Sequence, residues 1–372
     1  MVDATEPELV PSSRIVSIDA LRGFDMFWIA GGEEIFHSLN RVVGSPFTGL
    51  LDTQLQHVAW EGLRLYDLIF PLFLFIVGMV LPFSLTRRLE RGQSRRELCK
   101  HLVMRLALLF LLGLVHNGLL DFNLHRLRFA GVLQRIAICY FVAGIIVMFT
   151  SPRRQAMAAG SILLAYWGIM ALVTAPGFGA GDFTPQGNLS GFIDRKFLPQ
   201  PFCCYAFGDN EGILSTLPAI ATTLLGALAG DWLRSARSPQ RKAGGLAAAG
   251  VLSLVLGYGW GIWFPIVKNI WTSSFVLVAA GWSALLAALF YWIMDVRGWR
   301  RWAFFFIVIG MNPIVIYVVR SQFNFAHITR VFVRGFIDSF GAYSPVAMDF
   351  CTMMTGWLFL YFLYRKKIFL KV

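Results

Sequence analysis

The sequence predicts an all-α polytopic membrane protein, a bundle of about ten transmembrane helices with both termini cytoplasmic. Two observations carry that prediction. Hydrophobic residues make up 57% of the 372-residue chain and charged residues 15%, and the mean hydropathy is +0.62; a soluble domain carries about a quarter charged residues. The apolar residues also gather in runs of about twenty, the length a helix needs to cross a bilayer. No alternating pattern of barrel strands appears.

The spans are expected at residues 18–38, 63–85, 101–120, 129–150, 156–175, 212–233, 244–264, 271–294, 302–320 and 344–364. Residues 1–13 are polar and acidic and read as a cytoplasmic tail rather than a signal peptide. Residues 14–372 read as one transmembrane domain. The stretch 324–340 is apolar but short and basic, as a re-entrant or interfacial segment would be.

Net charge is +12, which in a soluble chain would suggest nucleic acid. Here the basic residues sit in short clusters between apolar runs. They are Arg87 to Lys100, Arg153–Arg154, Arg234 to Lys242, Arg297 to Arg301 and Arg365 to Lys367. With ten spans all five fall on one side, which the positive-inside rule makes cytoplasmic. No nucleic-acid partner is expected; membrane lipids are, and a homodimer is compatible with the pattern. The segments 39–62, 121–128, 176–211 and 321–343 then face outward, in a multi-pass protein of a bacterial inner (cytoplasmic) membrane. Five scattered cysteines show no disulfide framework, and the adjacent pair Cys203 and Cys204 is expected to stay unbridged, because the bond geometry is demanding. The six histidines lack metal-ligand spacing, so no metal is expected.

Ionisable groups at membrane depth are costly and are candidates for function. The first span carries Asp19, Arg22, Asp25, Glu33 and Glu34. Asp19, Arg22 and Asp25 share a helix face and can neutralise one another. The second span opens with His57, Trp60, Asp67 and Pro71. Pro71 cannot donate to the carbonyl of Asp67, which would open the backbone beside an acid. Gln134, Arg135, Lys268, Asn269, Asn312 and Arg320 add polar groups in or beside other spans. Together they suggest a polar cavity opening outward. Within it His57 is the candidate base or acyl-accepting nucleophile, with Asp67 or Glu33 to orient it.

Several motifs then resemble one family. His57-Val58-Ala59-Trp60-Glu61-Gly62-Leu63, followed by Tyr66-Asp67-Leu68-Ile69-Phe70-Pro71, is similar to the signature of the heparan-α-glucosaminide N-acetyltransferases. So are Ser17-Ile18-Asp19-Ala20-Leu21-Arg22-Gly23, Gly131-Val132-Leu133-Gln134-Arg135, Lys268-Asn269-Ile270-Trp271 and Gly310-Met311-Asn312-Pro313. Asp209-Asn210-Glu211-Gly212 resembles the family's D-P-E-G with asparagine for proline.

The resemblance implies a transmembrane acyltransferase that moves an acetyl group from cytoplasmic acetyl-CoA to an amino sugar or sugar hydroxyl on the far side, with His57 as the proposed catalytic histidine. On that reading Lys268, Arg135 or Arg320, with Gln134 nearby, would hold the donor's phosphates, and Asn269 or Asn312 would donate to the oxyanion. Asp209 and Glu211, with Trp60 and Glu34, would meet the acceptor. A transporter or flippase for a sugar or lipid-linked sugar remains the alternative, although no inverted repeat with paired broken helices is visible in the sequence. A non-catalytic scaffold is the third reading.

Overall fold

The computed structural model describes residues 15–370; the expected tail, residues 1–13, lies outside them. The helices are α1 (Val16–Phe27), α2 (Glu33–Val43), α3 (Pro46–Gln54), α4 (Ile69–Glu90), α5 (Arg95–His116), α6 (Val132–Phe149), α7 (Pro152–Leu172) and α8 (Leu189–Phe197). They continue as α9 (Thr216–Arg234), α10 (Pro239–Trp260), α11 (Ser273–Tyr291), α12 (Phe304–Met311), α13 (Pro313–Gln322), α14 (Phe325–Asp338) and α15 (Ser344–Arg365). A two-stranded antiparallel hairpin, Cys204–Tyr205 with Gly208–Asp209, interrupts the loop after α8.

The protein is an all-α polytopic membrane protein. Among the described residues eight helices are long and apolar enough to cross a bilayer, and nine if α12 and α13 count as one. Those two are bent by 63°. Pro313 has no N–H to continue the ladder, and it pushes Asn312 out of helical geometry, to φ −134° and ψ 51°.

The expected tenth span, 18–38, is instead a broken segment. The 12 residues of α1 and 11 of α2 meet at a π-helical turn, Trp28–Gly32. Gly31 takes φ 110° there, and the Arg320 guanidinium lies where a β-carbon would sit, within 3.2 Å. Only glycine suits both demands.

Pro71 does not open a break within the second span. A 3₁₀ turn, Leu65–Leu68, leads directly into α4, so Pro71 falls in the helix's first turn, where its missing N–H costs nothing. The stretch 324–340 forms α14, which packs along α15 and leaves Val331, Phe332 and Phe336 exposed.

Close backbone contact holds the centre. A β-carbon at Gly78 of α4 would lie 2.0 Å from the Thr223 carbonyl of α9, and one at Gly226 would lie 2.0 Å from the Phe75 carbonyl. Leu74, Leu81, Leu224 and Phe275 are buried around this seam. The basic clusters lie at the ends of α4, α6, α9 and α15 and the starts of α5, α7 and α10. The loops at the opposite ends converge to form the site.

Candidate active site

The site grows from the loop that joins α3 to α4. Asp67 is fully buried and ties this loop into a ring: its Oδ2 accepts from the backbone N–H groups of Arg64 (3.1 Å) and Val58 (3.3 Å). Its Oδ1 lies 2.8 Å from His57 Nδ1 and accepts from Lys268 Nζ at 3.2 Å. Lys268 Nζ is also 2.9 Å from His57 Nδ1.

Lys268 arrives from the loop between α10 and α11. That loop is stitched to the histidine loop by an antiparallel bridge between Glu61 and Val267 and by the Gly62 N–H donating to Ile266 (2.9 Å). The largely buried lysine is therefore placed by backbone. Burial pulls its pKa below the ordinary lysine range, with Asp67 opposing in part.

A carboxylate can only accept, so we assign the Nδ1 proton of His57 to the Asp67 hydrogen bond, which leaves Nε2 with its lone pair. The His57 side chain is 54% exposed, Lys268 11% and Asp67 0%. Nε2 thus belongs to a half-exposed ring, with Lys268 Nζ 3.5 Å away and a sealed acid behind.

His57 looks into a cavity of about 300 Å³. Its polar rim is His57, Lys268, Arg128, Asn210 and Glu211, with Cys203 and Cys204. Below the rim it is apolar, lined by Phe70 and Phe73 of α4, Leu133 and Ile136 of α6, and Met26 and Ile29 of the first segment. Phe70 and Phe73 follow Asp67 along α4, so this apolar part descends into the bundle.

Cys203 and Cys204 form a disulfide, contrary to the expectation from sequence. The pair opens the tight hairpin, and Cys204 takes φ 78°.

The other rim acids are clamped. Arg128 donates to Asp209 (Nε to Oδ2, 2.7 Å) and to Glu211. Burial alone would depress Arg128, but the two carboxylates outweigh it and raise its pKa. Asp209 also accepts from the N–H groups of Cys203 (3.1 Å) and Glu211 (2.9 Å). Beneath this turn, Asp194 of α8 accepts from the N–H groups of Ile213 (2.9 Å) and Asp209 (3.2 Å), and burial pushes its pKa up to about 6.

The remaining expected residues are placed as follows. Glu33 reaches His57 only through Tyr66: Glu33 hydrogen-bonds Tyr66, whose ring lies 4.8 Å from that of His57. Glu33 also pairs with Arg320 at 3.8 Å. Arg320 donates to the Ile29 carbonyl and, with Glu34, lines a neighbouring cavity of about 450 Å³. Arg135 is sealed, donating to Ser215 and lying over the Trp271 ring. Gln134 is buried against Gly113 and Gly131. Asn269 is buried beside Lys268 and lines neither cavity.

Asn312 holds the C-terminal segment instead, donating to Ile368 (3.0 Å) and accepting from the Leu370 N–H (3.0 Å). Trp60 donates to the Phe183 carbonyl (2.8 Å) and packs on Tyr205. Of the expected groups, His57, Asp67, Lys268 and Glu211 therefore meet at one cavity. Arg128, Tyr66, Asp194 and the disulfide were not among the residues singled out. Two acids at 209 and 211 without a cation were the one signal that could have pointed to Arg128.

The model of the heparan-alpha-glucosaminide N-acetyltransferase catalytic family matches residues 14–260. The chain belongs to this family. The match covers His57, Asp67, Arg128 and Glu211, while Lys268 follows just beyond it. Among curated relatives, the Homo sapiens heparan-alpha-glucosaminide N-acetyltransferase is 28% identical over 85% of this chain and 56% of its own length. The Mus musculus protein of the same name is 26% identical over the same shares. The chain thus spans just over half the length of these relatives.

Proposed function

We propose that the protein is a transmembrane acetyltransferase that moves an acetyl group from acetyl-CoA to an amino sugar or sugar hydroxyl, using His57. One observation carries the reading: His57 Nδ1 rests on a sealed aspartate while Nε2, 3.5 Å from Lys268 Nζ, keeps its lone pair at the head of a cavity that turns apolar below. Family membership supports it, as do the names of the two relatives.

The apolar depth, lined by Phe70, Phe73, Leu133 and Ile136, fits the uncharged thioester end of the donor. When bound, acetyl-CoA supplies an activated acyl carbon. His57 Nε2 then either removes the proton from the attacking amine or takes the acetyl group itself; both routes use the same lone pair. Asp67 holds the ring and offsets charge that develops on it. Lys268 is the cation nearest His57 and is placed to stabilise the oxyanion or the leaving thiolate. Glu211, already on Arg128, is the rim acid that can meet the acceptor's ammonium.

The basic clusters lie at the helix ends opposite the site. By the positive-inside rule this supports a His57 on the outer face of a bacterial inner membrane, with the acetyl group crossing through the bundle.

The test is label transfer from radiolabelled acetyl-CoA to the detergent-purified protein and then to glucosamine, with His57→Ala alongside. Label should reach glucosamine only with His57 intact, and label appearing first on the protein would select the covalent route. Full transfer by the alanine variant would overturn both routes.

One observation favours a second reading, a sugar transporter. Two discontinuous segments, α1–α2 and α12–α13, meet where Arg320 donates to Ile29, and broken helices in contact are how many transporters build their sites. Glucosamine flux into liposomes without acetyl-CoA would support that reading; its absence, with transfer intact, would remove it.

A further inference from the structure

The reaction cavity carries a covalent feature that the proposed chemistry does not use. The joined Cys203 and Cys204 both line the same cavity as His57, Lys268, Asn210 and Glu211. Cys204 is exposed and Cys203 half-buried. A sugar ring bound at His57 sits at the polar rim of this cavity, which Cys203 and Cys204 share.

Beside the aromatic rings of Tyr66 and Tyr317, the rest of the rim is charged or amide-bearing. Its polar groups suit the amine and hydroxyls on the edge of a sugar. On the hairpin side, the disulfide sulfurs add a rigid, polarisable surface with little hydrogen-bonding demand.

The bond also shapes the turn that presents Glu211. Cys204 pairs with Asp209 across the hairpin, and Asp209 takes the Cys203 N–H at 3.1 Å. Cys204 sits at φ 78°, a conformation uncommon for residues that bear a side chain, so the turn is a defined one.

We propose that the Cys203–Cys204 disulfide is the acceptor platform: the C–H face of an amino-sugar ring packs on it, and it fixes the hairpin so that Glu211 and Asn210 meet the ring's polar edge. It is a specificity-determining element and takes no part in the transfer itself. Opening it weakens acceptor binding and leaves the donor end, on α4 and α6, as it was. This inference rests on the acetyltransferase reading for the identity of the acceptor.

The test combines mass analysis with calorimetry on the full chain. Alkylation followed by intact-mass measurement, with and without a phosphine reductant, establishes the bond. Glucosamine binding is then measured on oxidised protein, on reduced protein and on the Cys203→Ser/Cys204→Ser variant. The expected result is a Kd about tenfold weaker in both opened forms, the loss of about one good contact. Reductant should not alter the double variant, and the KM for acetyl-CoA should not change.

Free thiols at Cys203 and Cys204 in the protein as isolated, beyond those of Cys99, Cys139 and Cys351, equal glucosamine affinity in all three forms, or no glucosamine binding by any form would each overturn the proposal. Redox-sensitive binding without acetyl transfer would sink the acetyltransferase reading and leave the platform standing. Transfer with redox-insensitive affinity would do the reverse. The reduced wild type keeps the test valid if the serine variant fails to fold.

Discussion

At the rim of one cavity, two groups of acids meet their cations in different ways. Around Asp67, a lysine and an imidazole share one carboxylate oxygen, and His57 Nε2, 3.5 Å from the lysine, keeps a lone pair on the half-exposed ring. Around Asp209 and Glu211, Arg128 takes both acids, and backbone N–H groups occupy further positions on Asp209. Exposure follows the same division: His57 is 54% exposed, whereas the Asp209 side chain is 1% exposed. The first arrangement is finished on one side only and can act on a substrate. The second is nearly closed and holds a loop in shape. Composition does not distinguish them, since each is acids and bases at a loop; what differs is which lone pairs remain unclaimed.

The comparison predicts mutations with opposite signatures. The largest effect on activity is expected from His57→Ala, which should lower acetyl transfer by roughly 10²- to 10⁴-fold, the range for a lost acid–base group. Its thermal stability should hardly change, because the side chain is half exposed. A folded variant with near-normal transfer would break the distinction.

Arg128→Ala should show the converse. It strands Asp209 and Glu211, and removing one partner of a buried ion pair costs about 3–5 kcal/mol, read as a lowered unfolding midpoint. Activity loss without destabilisation would mean that Arg128 belongs with the reactive cluster.

Lys268 sharpens the boundary through pH. Burial has lowered its pKa, so it loses its proton at lower pH than an ordinary lysine. Transfer that depends on its charge should fall on an alkaline limb below the usual lysine range. Lys268→Arg, which stays charged, should shift that limb upward while lowering the rate about tenfold. An unmoved limb would exclude Lys268 as its source.

The smallest effect is expected at Asp194. Its folded pKa, about 6, lies above its ordinary value of 3.8. Its contribution to stability is therefore full below about pH 3.8 and is lost as pH rises through about 6. Asp194→Asn should flatten that part of the stability–pH profile, and should cost about 1–3 kcal/mol through a lost acceptor. A profile unchanged in slope would refute the assignment.

How much of this was legible beforehand varies by element. Hydropathy located α4 to α7, α9 to α11 and α15 to within a few residues, because each run is apolar nearly throughout. It missed the break at Trp28–Gly32: two adjacent glycines inside an apolar run read as tolerated until Arg320 is found against Gly31. The ten-residue spacing of His57 and Asp67 was legible because the pair is local and closes one loop. Lys268 lies 211 positions from His57, and was expected at donor phosphates because an unpaired lysine in a sequence looks free. Arg135 and Asn312 were misplaced for the same reason: their partners, Ser215 and the Ile368–Leu370 backbone, are remote in the chain.

By itself the sequence determined the membrane class, the positions of most spans, the family and the histidine with its acid. These rest on periodicity, transfer free energy and short spacing, which act along the chain. Only the tertiary structure decided which charges are spent and which are available, that a lysine completes the histidine site, and that adjacent cysteines close into the cavity wall. The physical reason is that a polar group's role is set by which of its lone pairs and protons its neighbours consume, and in a helical bundle those neighbours come from other helices.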